Sequence, residues 1–468
     1  MERKSKKIKN TIKSIIKDST IHSLPRLLKA NSLISKISWI ILLACSISYC
    51  IYLIIIASLS YLQYNTVTNF EIIPEIQADF PVVTICNLNQ LQKNNSFYLV
   101  QKYSKMGYFS NLGKTVFMML ELSSYNETLK KSFTYSLNES LISCHINAGE
   151  CWASDFVWIF DPVYGNCYSF NTGFNSSGNS IDKISISKPG NMDGLRLELS
   201  IGNPNNVPEF IQTNGYHIMI HNHSYKISFN EGYDISTGVE TNIAINRIYQ
   251  TLKPKPFSDC MNLDSIDSFD SYFYKTIFRL NQKYRQIDCF GLCYQQKLIK
   301  ECNCYTNLFN KLNGTIECLS FLQVKCSLII WVSFVSEDYI LKNCIQYCPL
   351  ECDSITYQIS TAFSNYPSYN YAKNSLMTNP MIKSKFQNET LTYDLIKQSV
   401  LSLNVYYDKL SYIQISKDAK IEIVDLVSGI GGLLGLFLGM SFLSFAELLE
   451  MIVETIVIIL TRQKINLK

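Results

Sequence analysis

Two long apolar runs bracket a chain whose middle alternates short strand-like and helical patterns. Residues 37–70 contain no Lys, Arg, Asp or Glu, and the apolar part, ISWIILLACSISYCIYLIIIASLSYL, fills 37–62. As a helix that segment spans roughly 39 Å, more than a bilayer core requires. The apolar stretch of a cleavable leader runs only about 7–15 residues, so this one predicts a retained signal anchor. A second uncharged run covers 426–446. Glu447, Glu450 and Glu454 follow it, then TIVIIL and a basic tail of Arg462, Lys464 and Lys468.

Between the runs, DFPVVTICNLNQL (79–91) is rich in β-branched residues and reads as a strand. Residues 92–143 are polar with helical patches such as TVFMMLELSSY. GNCYSFNTG, GLRLELSIG, GYHIMIHNHSYKISFN and TNIAINRIYQTL read as strands punctuated by Gly, Pro and Asn. YFYKTIFRLNQKYRQIDCFGLCYQQKLIKECNC has a helical pattern, and CDSITYQISTAF returns to strand character. TYDLIKQSVLSLNVYYDKLSYIQISK then leads to the second apolar run. No internal repeat is visible.

Charge and cysteine placement orient these elements. The first 36 residues hold ten Lys or Arg against Glu2 and Asp18, which predicts a cytosolic N-terminus. Two spans then return the chain to the cytosol, a multi-pass plasma-membrane topology with both termini inside. The net charge of +4 over 468 residues is too small to suggest a nucleic-acid partner. Cys45 and Cys50 lie in the first apolar run, and the other fourteen cysteines, Cys86 to Cys352, lie between the runs. An even number in an oxidising compartment implies disulfides. Seven Asn-x-Ser/Thr glycan sequons begin at Asn94, Asn126, Asn138, Asn175, Asn222, Asn313 and Asn388, all in the same stretch.

FPVVTICNLN after the first span, GNCYSFN with GLRLELSI, CFGLCYQQKLIKECNC with CIQYCPLECDSITY, and GIGGLLGLFLGMSFLSFAELLE occur in that order. Together they resemble the degenerin/epithelial sodium channel family, which includes acid-sensing and FMRFamide peptide-gated members. The resemblance covers about residues 19–460. It implies a trimeric membrane channel: two transmembrane helices flanking a large disulfide-rich mixed α/β ectodomain with palm strands and a helical thumb and finger. The expected boundaries are a cytosolic N-terminus at 1–36, transmembrane helix 1 at 37–62 and an extracellular domain at 63–420. Within the last, the finger covers about 92–150 and the thumb about 260–352. Transmembrane helix 2 with its filter takes 421–460, and a cytosolic tail 461–468. The resemblance also implies the pairings Cys86–Cys167, Cys144–Cys151, Cys260–Cys352, Cys289–Cys348, Cys293–Cys344, Cys302–Cys326 and Cys304–Cys318. Ten of these cysteines crowd into 260–352. A metal reading of Cys302 and Cys304 is disfavoured outside the cell.

In the last span, Glu447, Glu450 and Glu454 share one helical face. Threefold assembly turns each into a ring of carboxylates that draws cations. The plain alternative is a solvated helix end with snorkelling acids. Gly431, Gly435 and Gly439 are four apart and permit close helix contact. By resemblance, Gly439, Met440 and Ser441 form a selectivity filter whose carbonyls replace ion hydration, and Asp425, Gly429, Gly432 and Leu436 lie at the outer pore and gate. Met440 stands where the family places a small residue. Asp425 stands where degenerins need a small residue for closure, so a charge there favours an open state. His22 and Ser23 occupy the place of a gating His-Gly pair, and Tyr64 and Phe257 that of an aromatic pair joining span to thumb. Asn65 and Thr66 replace the paired histidines of acid-sensing members.

His217, His221 and His223 have a spacing that suggests metal, but strand alternation explains it and no metal site is expected. Gly439-Met440-Ser441 is not a nucleophile elbow, and no phosphate loop or zinc helix occurs, so no enzyme is expected. The expected protein is a voltage-independent, ligand-gated sodium channel of the amiloride-sensitive type, homo- or heterotrimeric. Its ligand is a peptide first and protons second; it needs membrane lipid and no cofactor beyond permeant Na⁺. The rivals are an ATP-gated trimeric channel and a non-conducting receptor or accessory subunit.

Overall fold

Aliphatic residues at every second position build the two main sheets. The computed structural model describes residues 32–441 and, beyond them, 443, 444, 446, 447, 449, 450 and 453. Within the first range 90, 92–95, 108, 109, 162, 176, 177, 226–230, 281, 313–315, 319, 336, 387 and 388 lie outside the description. The chain divides into two units, one of Met1–Thr68 with Lys417–Lys468 and one of Asn69–Ser416.

In the larger unit one sheet is formed by β1 (Thr66–Pro74), β4 (Leu141–Ile146), β5 (Gly149–Glu150), β9 (Leu195–Ser200), β12 (Val239–Thr251), β15 (Asp353–Asn365) and β16 (Val400–Ala419). Its order is β15-β12-β16-β9-β4-β5, with β1 also on β16. β12 runs antiparallel to β15 and parallel to β16. The β12–β16 register shifts after Ile245↔Tyr407 and resumes at Arg247↔Tyr412, so 408–411 bulge out of β16. The second sheet holds β3 (Val82–Asn87), β6 (Phe156–Asp161), β7 (Gly165–Phe170), β10 (Tyr216–His221) and β11 (Tyr233–Ile235), in the order β11-β10-β3-β7-β6. Two short pairs complete the strands, β2 (Ala78–Asp79) with β8 (Ser185–Ile186) and β13 (Cys260–Met261) with β14 (Leu350–Glu351). Both sheets feed one core: Leu197, Leu199 and Leu403 from the first pack with Ile85, Phe170 and Ile218 from the second.

Three helical clusters surround the sheets. Helices α2 (Phe97–Ser104), α3 (Asn111–Ser123) and α4 (Glu127–Ser132) bury Leu99, Phe117, Met118 and Leu122. Glu121 accepts from Lys102 Nζ and the Tyr103 hydroxyl at 2.5 Å each, and from the Tyr125 hydroxyl at 2.9 Å. Those bonds hold its carboxylate below the usual range, against burial that would raise it.

Helices α5 (Tyr272–Arg279), α6 (Gln286–Cys302), α7 (Phe321–Val335) and α8 (Glu337–Asn343) form the second cluster, around Tyr274, Leu292 and Tyr294. Four of the seven disulfides lie here: Cys289–Cys348, Cys293–Cys344, Cys302–Cys326 and Cys304–Cys318. Cys260–Cys352 closes its base. Cys86–Cys167 joins β3 to β7, and Cys144–Cys151 staples β4 to the turn beyond β5. These are the seven pairs the family resemblance implies. Each is expected to stabilise by about 2–4 kcal/mol.

The third cluster packs α9 (Tyr393–Ser399) with residues 366–386 through Leu376, Ile382, Phe386 and Ile396. Lys385 is buried beside it at 6% exposure, and its Nζ has no hydrogen-bond acceptor. The nearest ring, that of Tyr135, lies 5.1 Å away. Burial pulls the amine down to about 7 from an ordinary value near 10.5, outweighing the opposing charge of Glu139. The unfolded chain therefore binds the extra proton between those values, and native stability rises with pH across that window. Lys385→Met is expected to raise the melting temperature most at or below pH 7, with the gain shrinking toward pH 10. Melting curves of the purified protein at pH 6.5, 8 and 9.5 check this; a pH-independent gain refutes it.

The smaller unit contains α1 (Leu33–Leu62) and α10 (Ile423–Leu438), which pack together through the edge of Tyr49 on Phe437 at 5.4 Å. Among the described residues α1 is the helix long and apolar enough to cross a membrane, and most of its aliphatic side chains are exposed. The protein is thus membrane-associated.

Candidate functional site

Helix α10 begins with a reciprocal cap. The Glu422 N–H donates to Asp425 Oδ2 at 3.0 Å, so the carboxylate sits in the first turn, where the helix dipole favours it. Asp425 therefore has a structural task besides any effect on gating. Gly429, Gly431 and Gly432 meet no neighbouring atom within 4 Å of an added Cβ. Leu436 is 78% exposed on the same helix. In isolation the helix shows an open small-residue face and exposed apolar side chains.

The helix stops at Gly439, which adopts the left-handed conformation with φ 67° and ψ 21°. A glycine carries that geometry without the Cβ clash other residues meet. The Gly439 N–H donates to Gly435 O and the Met440 N–H to Leu434 O, closing the end of the helix. Residues 439–441 follow no helical ladder. Helical geometry resumes at 443 after a second cap: the Ser441 N–H donates to Ser444 Oγ at 3.0 Å, and the Ser444 N–H to Ser441 O at 3.0 Å. Ser444 is buried and Met440 half-buried. The Gly-x-Ser triplet is thus a break between two helical stretches, held on each side by its own hydrogen bonds. Glu447 and Glu450 lie exposed in the second stretch. Glu454 falls outside the described residues, so the expected carboxylate face is described at two of its three positions.

The remaining expected residues are dispersed. His22 and Ser23 lie outside the described residues. Tyr64 ends α1 with φ 49°, its ring 5.8 Å from that of Tyr61. Phe257 lies under the Lys253 ammonium at 5.6 Å. Asn126 and Asn138 are exposed, and Asn175 and Asn222 half-buried; Asn94, Asn313 and Asn388 lie outside the described residues. His217, His221 and His223 each take different partners, and among the described residues no group of His, Cys, Asp or Glu could hold a metal ion.

Sequence patterning does not single out Arg247, which sits on β12 at the position that alternation assigns to the core, after buried Thr241, Ile243 and Ile245. Its guanidinium pairs with Glu75 and lies among the rings of Tyr249, Tyr407 and Tyr412 at 5.4–5.9 Å. A charge at an apolar parity is the signal the sequence offers for it.

The chain is similar in sequence to known proteins. The family model for the amiloride-sensitive sodium channel matches residues 15–451. The rabbit (Oryctolagus cuniculus) epithelial sodium channel subunit beta is 28% identical over 324 residues, covering 68% of this chain and 48% of its own length. The degenerin-like protein asic-2 of Caenorhabditis elegans is 25% identical over 478 residues, covering 92% of this chain and 84% of its own. The lungfish (Neoceratodus forsteri) epithelial sodium channel subunit gamma is 25% identical over 442 residues, covering 86% and 63%. The chain spans about half the length of the beta subunits it matches.

Proposed function

The chain belongs to the amiloride-sensitive sodium channel family, and on that premise we propose that it is a subunit of a ligand-gated cation channel that conducts through a pore lined by α10. The observation that carries this reading is the helix break at Gly439-Met440-Ser441. Non-helical backbone at membrane depth is tolerated where it lines water or is buried in protein, because freed carbonyls need partners. A permeant cation is such a partner. Three copies of α10, packed through the open faces of Gly429 and Gly432, would bring three sets of these carbonyls to one axis. Glu447, Glu450 and Glu454 would follow as acidic rings on the cytosolic side.

In this reading α1 and the segment around α10 both span the plasma membrane, both termini are cytosolic, and the larger unit faces outward with its disulfides and glycans. An extracellular ligand, a peptide first and protons second, moves the helical thumb and the palm sheet, which act on the spans through Tyr64 and Phe257. His22 and Ser23 would lie at the inner gate. Met440 keeps a carbonyl filter possible while its side chain turns toward neighbouring helices, and sodium preference and amiloride block follow the family. The Asp425 charge at the outer mouth favours the open state.

The test is whole-cell current in oocytes expressing the full chain, alone and with related subunits, under ion substitution, candidate neuropeptides and amiloride. Inward current that follows external Na⁺ and falls with amiloride is the expected result. Current evoked by ATP instead would favour the ATP-gated type. No current in any combination, despite surface expression, would leave only the accessory-subunit reading.

A further inference from the structure

Among the described residues, one buried lysine amine is left without an acceptor. Lys385 lies in the turn Ser384–Phe386, and its Nζ meets no hydrogen-bond partner. Ile382 and Phe386, on either side of it in the chain, enter the apolar cluster with Leu376 and Ile396, and the Tyr135 ring stands 5.1 Å from Nζ. The other lysines that burial pulls down are better placed. Lys297 donates to Ser333 Oγ at 2.9 Å and stands 3.6 Å from the centre of the Tyr339 ring. Lys130 stands 4.3 Å from that of Phe160, and Glu317 and Glu127 both support its charge.

The groups around Lys385 do not relieve it. Glu139, whose charge reaches the amine, already takes the Ser136 N–H and hydroxyl at 2.7 Å each. Burial, with help from Glu139, raises the Tyr135 phenol, so it stays neutral. An ammonium in such a place keeps three N–H donors without acceptors, whereas a neutral amine keeps a lone pair able to attack carbon. The amine is nevertheless close to solvent: Lys383 and Ser384 are exposed and Tyr135 is half-buried.

We propose that Lys385 is a covalent capture site at which Nζ takes small uncharged aldehydes as a Schiff base. The Nζ lone pair adds to the carbonyl carbon, and the carbonyl π pair goes to oxygen. Both N–H protons leave with that oxygen as water, and a C=N bond replaces C=O. No oxidant, reductant or metal is needed. Aldehyde, amine and imine are all uncharged, so no step places a net charge beside the apolar cluster. The imine also removes both N–H donors that have no acceptor. A desolvated lysine is the form of this side chain suited to such chemistry.

Reductive trapping on the full-length protein in lipid nanodiscs tests this without reference to ion conduction. Propanal with cyanoborohydride at pH 7 converts each imine into a propyl-lysine that peptide mass spectrometry locates. An amine held at about 7 is about half neutral there, against about one part in three thousand for an ordinary lysine. Restricted access takes back part of that advantage. Lys385 should therefore be labelled about tenfold faster or more than exposed Lys383, two residues away in the same turn region. In guanidinium the two rates should become equal. Glyoxylate, an aldehyde carrying a negative charge, should show no preference for Lys385 over Lys383. The fast adduct should vanish from the intact mass of Lys385→Met. Labelling of Lys385 no faster than Lys383 in the folded protein overturns the proposal, as does a preference that survives guanidinium. A glyoxylate preference equal to that of propanal overturns the assignment to uncharged aldehydes. Should Lys385→Met fail to fold, the wild-type comparisons decide alone.

Discussion

Gly439→Val is expected to abolish most cation current while leaving the protein at the cell surface. Gly439 is left-handed, and its N–H and that of Met440 close the end of α10. An L-residue in that conformation costs roughly 1–2 kcal/mol, about tenfold in population, and a β-branched side chain is the worst case. Valine would favour continuing α10 through 440 and 441, which draws the carbonyls that the break releases back into the helical ladder. Whole-cell sodium current should fall by about tenfold or more, with surface biotinylation unchanged. Gly439→Asn separates conformation from bulk, because asparagine tolerates the left-handed region better than other residues. It should retain a substantial part of the current that valine loses. Equal losses in both variants would mean that side-chain volume at the pore, and not the backbone break, is what the glycine protects.

The family resemblance implies the filter at Gly439-Met440-Ser441, whereas the glycine spacing alone reads as plain helix packing; the means of the break are local, a left-handed glycine and a serine that caps the next stretch. The seven disulfide pairings follow from the family resemblance, since spacing alone leaves many connectivities open. Local chemistry also corrects the strand expected over 215–230 as far as Tyr225, since 226–230 lie outside the described residues. β10 ends at His221, where Asn222 Oδ1 takes the Ser224 N–H and turns the chain. The helical pattern over 272–304 is two helices, divided between Arg279 and Gln286. Helix α7 is not apparent in the pattern: FLQVKCSLIIWVSFV has little amphipathic contrast, and Leu322, Ile329 and Val332 stay exposed on it. Pairings between distant segments are hidden for a different reason. Nothing near Arg247 in the chain announces Glu75, 172 residues away, or the bulge at 408–411 whose Leu410 carbonyl takes the Glu75 N–H. Likewise the orphaned Lys385 amine exists only once separate elements are packed.

Glu75→Leu, which strands the Arg247 guanidinium, should be among the most destabilising single changes in the larger unit. The Arg247 side chain is 7% exposed and that of Glu75 23%. Arg247 Nε already lacks an acceptor, so the carboxylate supplies what compensation the charge has. The Glu75 backbone N–H also donates to Leu410 O at 2.9 Å, anchoring the segment after β1 to the β16 bulge. Removing one partner of a buried pair typically costs about 3–5 kcal/mol, and partial exposure of Glu75 places this case near the lower end. For a unit of this size that is a fall of about 4 °C in melting temperature. Replacing both partners, Glu75→Leu with Arg247→Met, removes the stranded charge and leaves an apolar side chain among Tyr249, Tyr407 and Tyr412. The double variant should recover most of the loss, because the cost lies in desolvating an unpaired ion and less in the pair's own attraction. Melting curves of the wild type, the two single variants and the double variant form a cycle that isolates this coupling. If the losses of the two single variants simply add in the double variant, the pair is not acting as a unit, and the packing of each side chain separately supports the lower part of the sheet.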